Sequence, residues 1–324
     1  MAQQQQAGSG AGLGYGFAAY GIWGLFPLYW PLLEPSGAVD ILANRMTWSL
    51  VAVALILGVT RNWSWIRPLL AQPGRLALSV LAALVISVNW GVYIWGVNSG
   101  HVVETSLGYF INPLVTIAFG VLLLGERLRR AQWVAVGIGV LAVAVLTVGY
   151  GRLPWIALVL AFSFGTYGLL KKKVALGGSE SLALETAAMF PFAVGLLVWL
   201  GVTGRGTLGT EGWAHTGLLM LSGLITAVPL LCFGAAAVRV PLSTLGLLQY
   251  LAPVLQFLLG ITVFHEQMPP ARWAGFALVW AALAVLTFDA LRRLRRSRAE
   301  LPAPPSGTRP EGAPADAPSA SSAR

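Results

Sequence analysis

"LGYFINPLVTIAFGVLLLGERLRRAQW", residues 107–133, returns 140 residues later as "LLQYLAPVLQFLLGITVFHEQMPPARW", residues 247–273. Leu107, Pro113, Gly120, Glu126, Ala131 and Trp133 recur as Leu247, Pro253, Gly260, Glu266, Ala271 and Trp273, and the gapless register extends to 88–137 against 228–277. A second match, offset by 144, sets Gly21, Trp23 and Gly24 against Gly165, Tyr167 and Gly168. Small residues and aromatics recur by chance in apolar helices, but a gapless register carrying a Glu and a Trp is far harder to reach that way. The chain reads as two copies of one unit.

Composition identifies the solvent of those units. Apolar residues make up 56% of the 324, charged residues 10%, and mean hydropathy is +0.73. A soluble domain carries about 25% charged residues. Apolar runs broken at charge and turn clusters predict ten membrane spans, at 13–33, 38–58, 76–98, 103–124, 131–150, 154–170, 181–202, 215–238, 243–264 and 272–291. The expected organisation is a short tail (1–12), a five-helix repeat (13–150), a second five-helix repeat (151–291) and a tail (292–324) that is basic and then disordered. The end of that tail, "AELPAPPSGTRPEGAPADAPSASSAR", has no apolar face to bury. The N-terminus lacks a basic stretch before its first apolar run, so that run is read as a retained span rather than a cleaved signal.

Orientation follows from Lys and Arg in the short loops. With the N-terminus cytoplasmic, 17 cations fall inside, among them Arg127, Arg129, Arg130 and Lys171–Lys173, and three fall outside: Arg152, Arg205 and Arg272. Both termini are then cytoplasmic, in a cell inner (plasma) membrane. An odd number of crossings per unit makes the second unit enter from the opposite side. That is the inverted-repeat architecture of alternating-access transporters, with the substrate site near the midplane where the repeats meet. The net charge of +9 lies largely in the tail cluster Arg292, Arg293, Arg295, Arg296 and Arg298, a pattern of anchoring to anionic headgroups rather than of nucleic-acid binding. A single Cys232 excludes an internal disulfide.

The stretches "DILANRMTWSL", "NWGVYIWGVNSGHVVETSLGYFINPLV", "GERLRRAQWVAV", "LAFSFGTYGLLKKKV" and "VPLSTLGLLQYLAPVLQFLLG" carry a specific resemblance. The chain resembles the RarD group of EamA-type transporters, the chloramphenicol-sensitivity permeases of the drug/metabolite transporter superfamily, over residues 14–291. The resemblance implies an all-α, ten-helix inner-membrane permease that moves small organic molecules, with efflux the expected direction and no cofactor. Similar proteins usually have His where this chain has Asn44, and often Lys where it has Pro31. Proton coupling that rests on that His does not carry over. A coupling proton and a homodimer stay open, beside the lipid bilayer and a small-molecule substrate as partners.

Ionisable groups inside spans are costly, roughly 2.5–3.5 kcal/mol each on insertion scales, so each is a candidate site residue. Arg45 lies about 9 Å into the second span from its outer end, at 1.5 Å per residue. Two readings stand. It snorkels to the outer headgroups, or it pairs with Glu104 or Asp40 to gate the outer side, a site that could also receive an anionic substrate group. Glu185 is its counterpart in the repeat, in the inner third, beside the Lys171–Lys173 loop. Glu126 and Glu266 are read as loop residues holding the N-terminus of the next helix.

A pocket for an amphipathic molecule needs aromatic walls and a few placed hydrogen-bonding groups. Candidates are Asn89, Trp90 and Tyr93 in the third span, with Trp95 beside them, Tyr109 and Asn112 in the fourth, and Gln249, Tyr250 and Gln256 in the ninth. The competing reading is interhelical hydrogen bonding by Asn and Gln. Tyr109, Asn112, Gln249 and Tyr250 are favoured because they precede Pro113 and Pro253, which disturb backbone bonding at depth. No metal-binding or phosphate-cradling motif is present, and an enzyme or a non-transporting sensor is the rival class.

Overall fold

The computed structural model describes residues 2–61, 63–124, 130–174, 176, 178–237, 239–240 and 247–299. Its long helices are α1 (Ala2–Tyr29), α2 (Ala38–Thr60), α3 (Pro73–Asn98), α4 (Val102–Leu124), α5 (Arg130–Tyr150), α6 (Trp155–Val174), α7 (Gly178–Val202), α8 (Gly212–Ala237), α9 (Leu251–Thr262) and α10 (Pro270–Ala299). Among the described residues, seven helical stretches are long and apolar enough to cross a membrane, and Trp155–Lys171 and Leu251–Thr262 are shorter apolar helices. The glycine- and tyrosine-rich α1 completes a ten-helix, all-α bundle.

Boundaries depart from expectation where local chemistry intervenes. Helix α1 begins at Ala2, and the first span ends in a 3-10 turn, Trp30–Leu33, with Pro31 in its first turn. Proline suits that position because the amide it lacks would be unsatisfied there anyway. The loop after α2 holds a short helix, Ile66–Leu70, that hydropathy does not reveal. The ninth span is interrupted: Gln249 and Tyr250 form a turn before α9 starts at Leu251. Pro253 accounts for it, because its ring collides with the carbonyl four residues earlier, that of Gln249. Pro113 obeys the same rule but sits inside a continuous α4.

The packing carries the repeat into three dimensions. Helix α1 lies against α8 and α9, and α6 lies against α3 and α4; α2 meets α7 and α8, and α7 meets α2 and α3. The self-related pairs α4–α9 and α5–α10 also pack together. Exchanging the halves (α1 with α6, α2 with α7, and so on) maps this set onto itself. The main contacts therefore join one half to the other.

Two close approaches set the geometry near the site. A Cβ added to Gly223 of α8 would lie 2.3 Å from the carbonyl carbon of Trp48, so α2 and α8 touch backbone to backbone. One added to Gly260 of α9 would lie 2.6 Å from Val103 Cγ2, which brings α9 against the first turn of α4. Small residues permit such crossings in membranes, where dispersion and hydrogen bonds hold helices together.

Candidate functional site

One turn from the Trp48–Gly223 crossing, Arg45 reaches from α2 to α8. Its Nε donates to Thr226 Oγ1 at 2.8 Å. Its guanidinium carbon stands 4.1 Å from the ring centroid of Trp90 on α3, 5.2 Å from that of Trp30 and 5.7 Å from that of Phe26. The residue is 3% exposed, so it does not snorkel. The expected ion pair with Glu104 or Asp40 is not formed either. Among the described residues no carboxylate pairs with Arg45, and Nη1 is buried without a hydrogen-bond partner. Aromatic faces attract a cation through their quadrupole, and they stand where lipid or water would otherwise be.

The carboxylates proposed as its partners are taken elsewhere. Asp40 Oδ2 accepts from Thr207 N at 3.0 Å and from Thr207 Oγ1 at 2.8 Å, and Oδ1 accepts from Asn44 Nδ2 at 2.9 Å. With the Thr207 hydroxyl donating to Asp40, the Ser36 hydroxyl 2.5 Å away donates to Thr207. Ser36 Oγ then accepts from His215 Nε2 at 2.9 Å. A directed chain of donors, His215 to Ser36 to Thr207 to Asp40, thus ties the start of α2 to the α7–α8 loop and α8. All four residues are buried.

Glu104, in the first turn of α4, receives Arg152 Nη2 at 2.7 Å and the Ile156 backbone amide at 3.1 Å. Arg152 lies between α5 and α6. Glu266 corrects an expectation. It does not hold the helix that follows it; its Oε1 accepts from Val103 N at 3.0 Å, at the start of α4 in the other half. The free amides of a helix N-terminus attract a carboxylate wherever it lies in the sequence, and the Gly260 contact brings α4 within reach. Burial pushes the Glu266 carboxyl up to about 7, opposed by the Val103 and Val102 amides and by Arg272. Glu126 lies outside the described residues.

These three contact sets, on Asp40, Glu104 and Glu266, all bridge the halves at the end predicted to be external. At the opposite end, Glu185 accepts from Lys171 Nζ at 3.1 Å, Ser181 Oγ at 2.7 Å and Tyr167 OH at 3.1 Å, all within the second half. Glu185 is buried and paired with Lys171, which the structure places in the last turns of α6 rather than in a loop. Arg75 donates across the halves to the Val174 carbonyl.

The aromatic and amide candidates divide. Tyr93 and Tyr109 meet edge to face at 5.7 Å, and both lie within electrostatic reach of Arg45. The Tyr93 hydroxyl is buried without a partner. Asn89 donates to the Leu160 carbonyl at 3.0 Å and to Ser163 Oγ at 2.9 Å, and accepts from Tyr109 at 3.3 Å. It joins α3, α4 and α6 and positions Tyr109. Gln256 donates to the Trp23 carbonyl at 3.0 Å. Asn112 keeps an unpartnered side-chain oxygen. Trp95 stacks on His101 and abuts Trp155 near the end of α3, away from Arg45. Tyr250, which the offset of 140 pairs with Phe110, lines a groove with Phe110 and Trp280, and a side-chain hydrogen bond joins it to Gln249.

Sequence reading missed Thr226, Thr207, Ser36 and Trp30, and it assigned no site role to Arg152 or His215. A hydroxyl in an apolar helix commonly bonds its own backbone, as Thr226 does to the Ser222 carbonyl at 2.9 Å, so nothing local marks its second role.

The comparisons agree with this architecture. A profile of the EamA-like transporter family matches residues 10–148 and again 153–288. The protein RarD of Streptomyces exfoliatus is 67% identical over 90% of this chain and 93% of its own length. The protein RarD of Escherichia coli (strain K12) is 41% identical over 86% of this chain and 95% of its own. A solved crystal structure, 19% identical, superimposes with a TM-score of 0.57 over 86% of this chain and 98% of that one, a likeness of fold. With two family matches laid over two halves that pack symmetrically, the chain is a multi-pass membrane transporter that belongs to the EamA-like transporter family.

Proposed function

We propose that the protein is a secondary transporter of small organic molecules in the cell inner (plasma) membrane, working by alternating access, exporting its substrate and performing no catalysis. The observation that carries this reading is Arg45. It is a buried cation with no counter-charge among the described residues, walled by aromatic rings, held between α2 and α8 where the halves meet. Uncompensated charge at this depth is expensive, and a binding site for cargo is a use that justifies it. Both termini face the cytoplasm, so the contacts on Asp40, Glu104 and Glu266 close the external side. Transport then alternates these closures with an equivalent set at the cytoplasmic end, as residues 13–150 rock against 151–291.

Flux into proteoliposomes, measured with labelled organic acids, amides and amines under imposed solute and proton gradients, tests this. Saturable flux of some solute without nucleotide supports it. A solute that is chemically altered and not moved would establish the enzyme reading instead.

A further inference from the structure

We propose that Arg45 receives the anionic group of the transported molecule, so that the substrates are small organic acids, a carboxylate carried on a flat apolar body. The proposal rests on the transport reading above and specifies its substrate class.

The first support is charge. Asp40 is committed to Thr207 and Asn44, Glu104 to Arg152 and Ile156, and Glu185 to Lys171, Ser181 and Tyr167. None neutralises Arg45. Its aromatic contacts attract the charge through ring faces but accept none of its in-plane N–H groups.

The second support is the sign of the unfilled groups around it. Arg45 Nη1, Trp30 Nε1 and the Tyr93 hydroxyl are all buried and unpartnered. Trp30 is in ring contact with the guanidinium, and Tyr93 lies within its electrostatic reach. Two of these three can only donate, and the third donates readily. Unfilled donors beside a cation suit an oxyanion, and a guanidinium binds a carboxylate through charge-assisted hydrogen bonds. An amine would meet a like charge.

The third support is fixed geometry. The bond to Thr226 Oγ1 and the 4.1 Å stack on Trp90 hold the guanidinium in one orientation. The rings of Trp90, Trp30 and Phe26 supply apolar walls for the body of the molecule.

The test uses the full-length protein in nanodiscs with three matched series: benzoate, phenylacetate and indole-3-acetate, their amides, and the corresponding amines. Binding is read by thermal shift and calorimetry, and flux in proteoliposomes. At least one acid should bind roughly tenfold or more tightly than its amide, as expected when a charge-assisted hydrogen bond replaces a neutral one. R45Q should erase that preference while inserting as well as wild type, and R45K should keep part of it. The proposal is overturned if no acid binds, if amides or amines bind as tightly as the acids, or if R45Q keeps the acid preference. Flux of neutral or cationic solutes without acid flux would remove this proposal and leave the transport reading standing. Absence of flux for every solute would remove both.

Discussion

Trp90 and Arg45, one helix apart, are stacked at 4.1 Å, and the same guanidinium is tied through Nε to Thr226. A cation over a desolvated indole face gains on the order of 2 kcal/mol, more than over a phenyl ring. W90F is therefore expected to lower transport severalfold, and W90L to lower it further. Membrane insertion and expression should stay at wild-type levels in both. Equal transport by W90L and wild type would show that the stack is only packing.

T207V removes a hydroxyl that links Asp40 to Ser36 and His215. A buried acceptor that loses one donor costs about 1–3 kcal/mol. Because the bond crosses between the halves, the loss falls on the externally closed state. Cysteines placed near the external end of α2 should react faster with an impermeant thiol reagent in T207V than in a background retaining Thr207. Unchanged labelling would mean that this chain of donors does not hold the closure.

Glu104 is 1% exposed on its side chain, whereas its partner Arg152 is 38% exposed. The pair is thus asymmetric, and R152A leaves a buried carboxylate with the Ile156 amide as its remaining partner. Breaking a fully buried pair costs about 3–5 kcal/mol, so with Arg152 partly solvated a loss below that range is expected. E104Q should be milder than R152A in thermal melts, because it removes the buried charge and leaves the partly solvated Arg152 to water. The reverse order would argue against a buried carboxylate as the costly group.

Gly223 meets the Trp48 backbone, which cannot move aside as a side chain can. G223V is expected to push α8 from α2, break the Arg45–Thr226 bond and lower both melting temperature and transport. G223A should show the same losses in smaller measure. Wild-type stability in G223V would mean that the crossing is looser than described.

Glu266 titrates near neutrality, facing Arg272, Glu104 and the amides that begin α4. Its folded value is raised above the unfolded one, so the folded protein holds a proton through the interval from about 4.5 to about 7. Stability from this group is therefore greatest at the acid end of that interval and falls as pH rises through it. Melting temperature should drop from pH 5 to pH 8 in wild type, and the drop should be smaller in E266Q. Identical slopes would assign the pH dependence to other groups.

Much of the fold was legible because its signals are one-dimensional. Membrane spans are runs of apolar residues, and the repeat is a register between Pro113 and Pro253, Glu126 and Glu266, Trp133 and Trp273. The site was legible only as an inventory. Arg45, Trp90, Tyr93 and Tyr109 were singled out by chemistry and converge. Tyr250 was singled out by the same chemistry and by its place before Pro253, and it lines a different groove. The turn at Gln249 and Tyr250 is where the copies cease to be equivalent.

By itself the sequence determined that this chain lives in a membrane, that it is built twice over, and that Arg45 lies within a span at a cost some interaction must offset. Only the tertiary structure decided what surrounds Arg45. Thr226 is 181 residues away, and the carboxylates level with Arg45 turn to Thr207 and Arg152 instead. The physical reason is that hydropathy depends on each residue's own transfer energy, which the sequence lists. A partner depends on crossing angle and helix rotation, which the close approach of Gly223 to Trp48 sets.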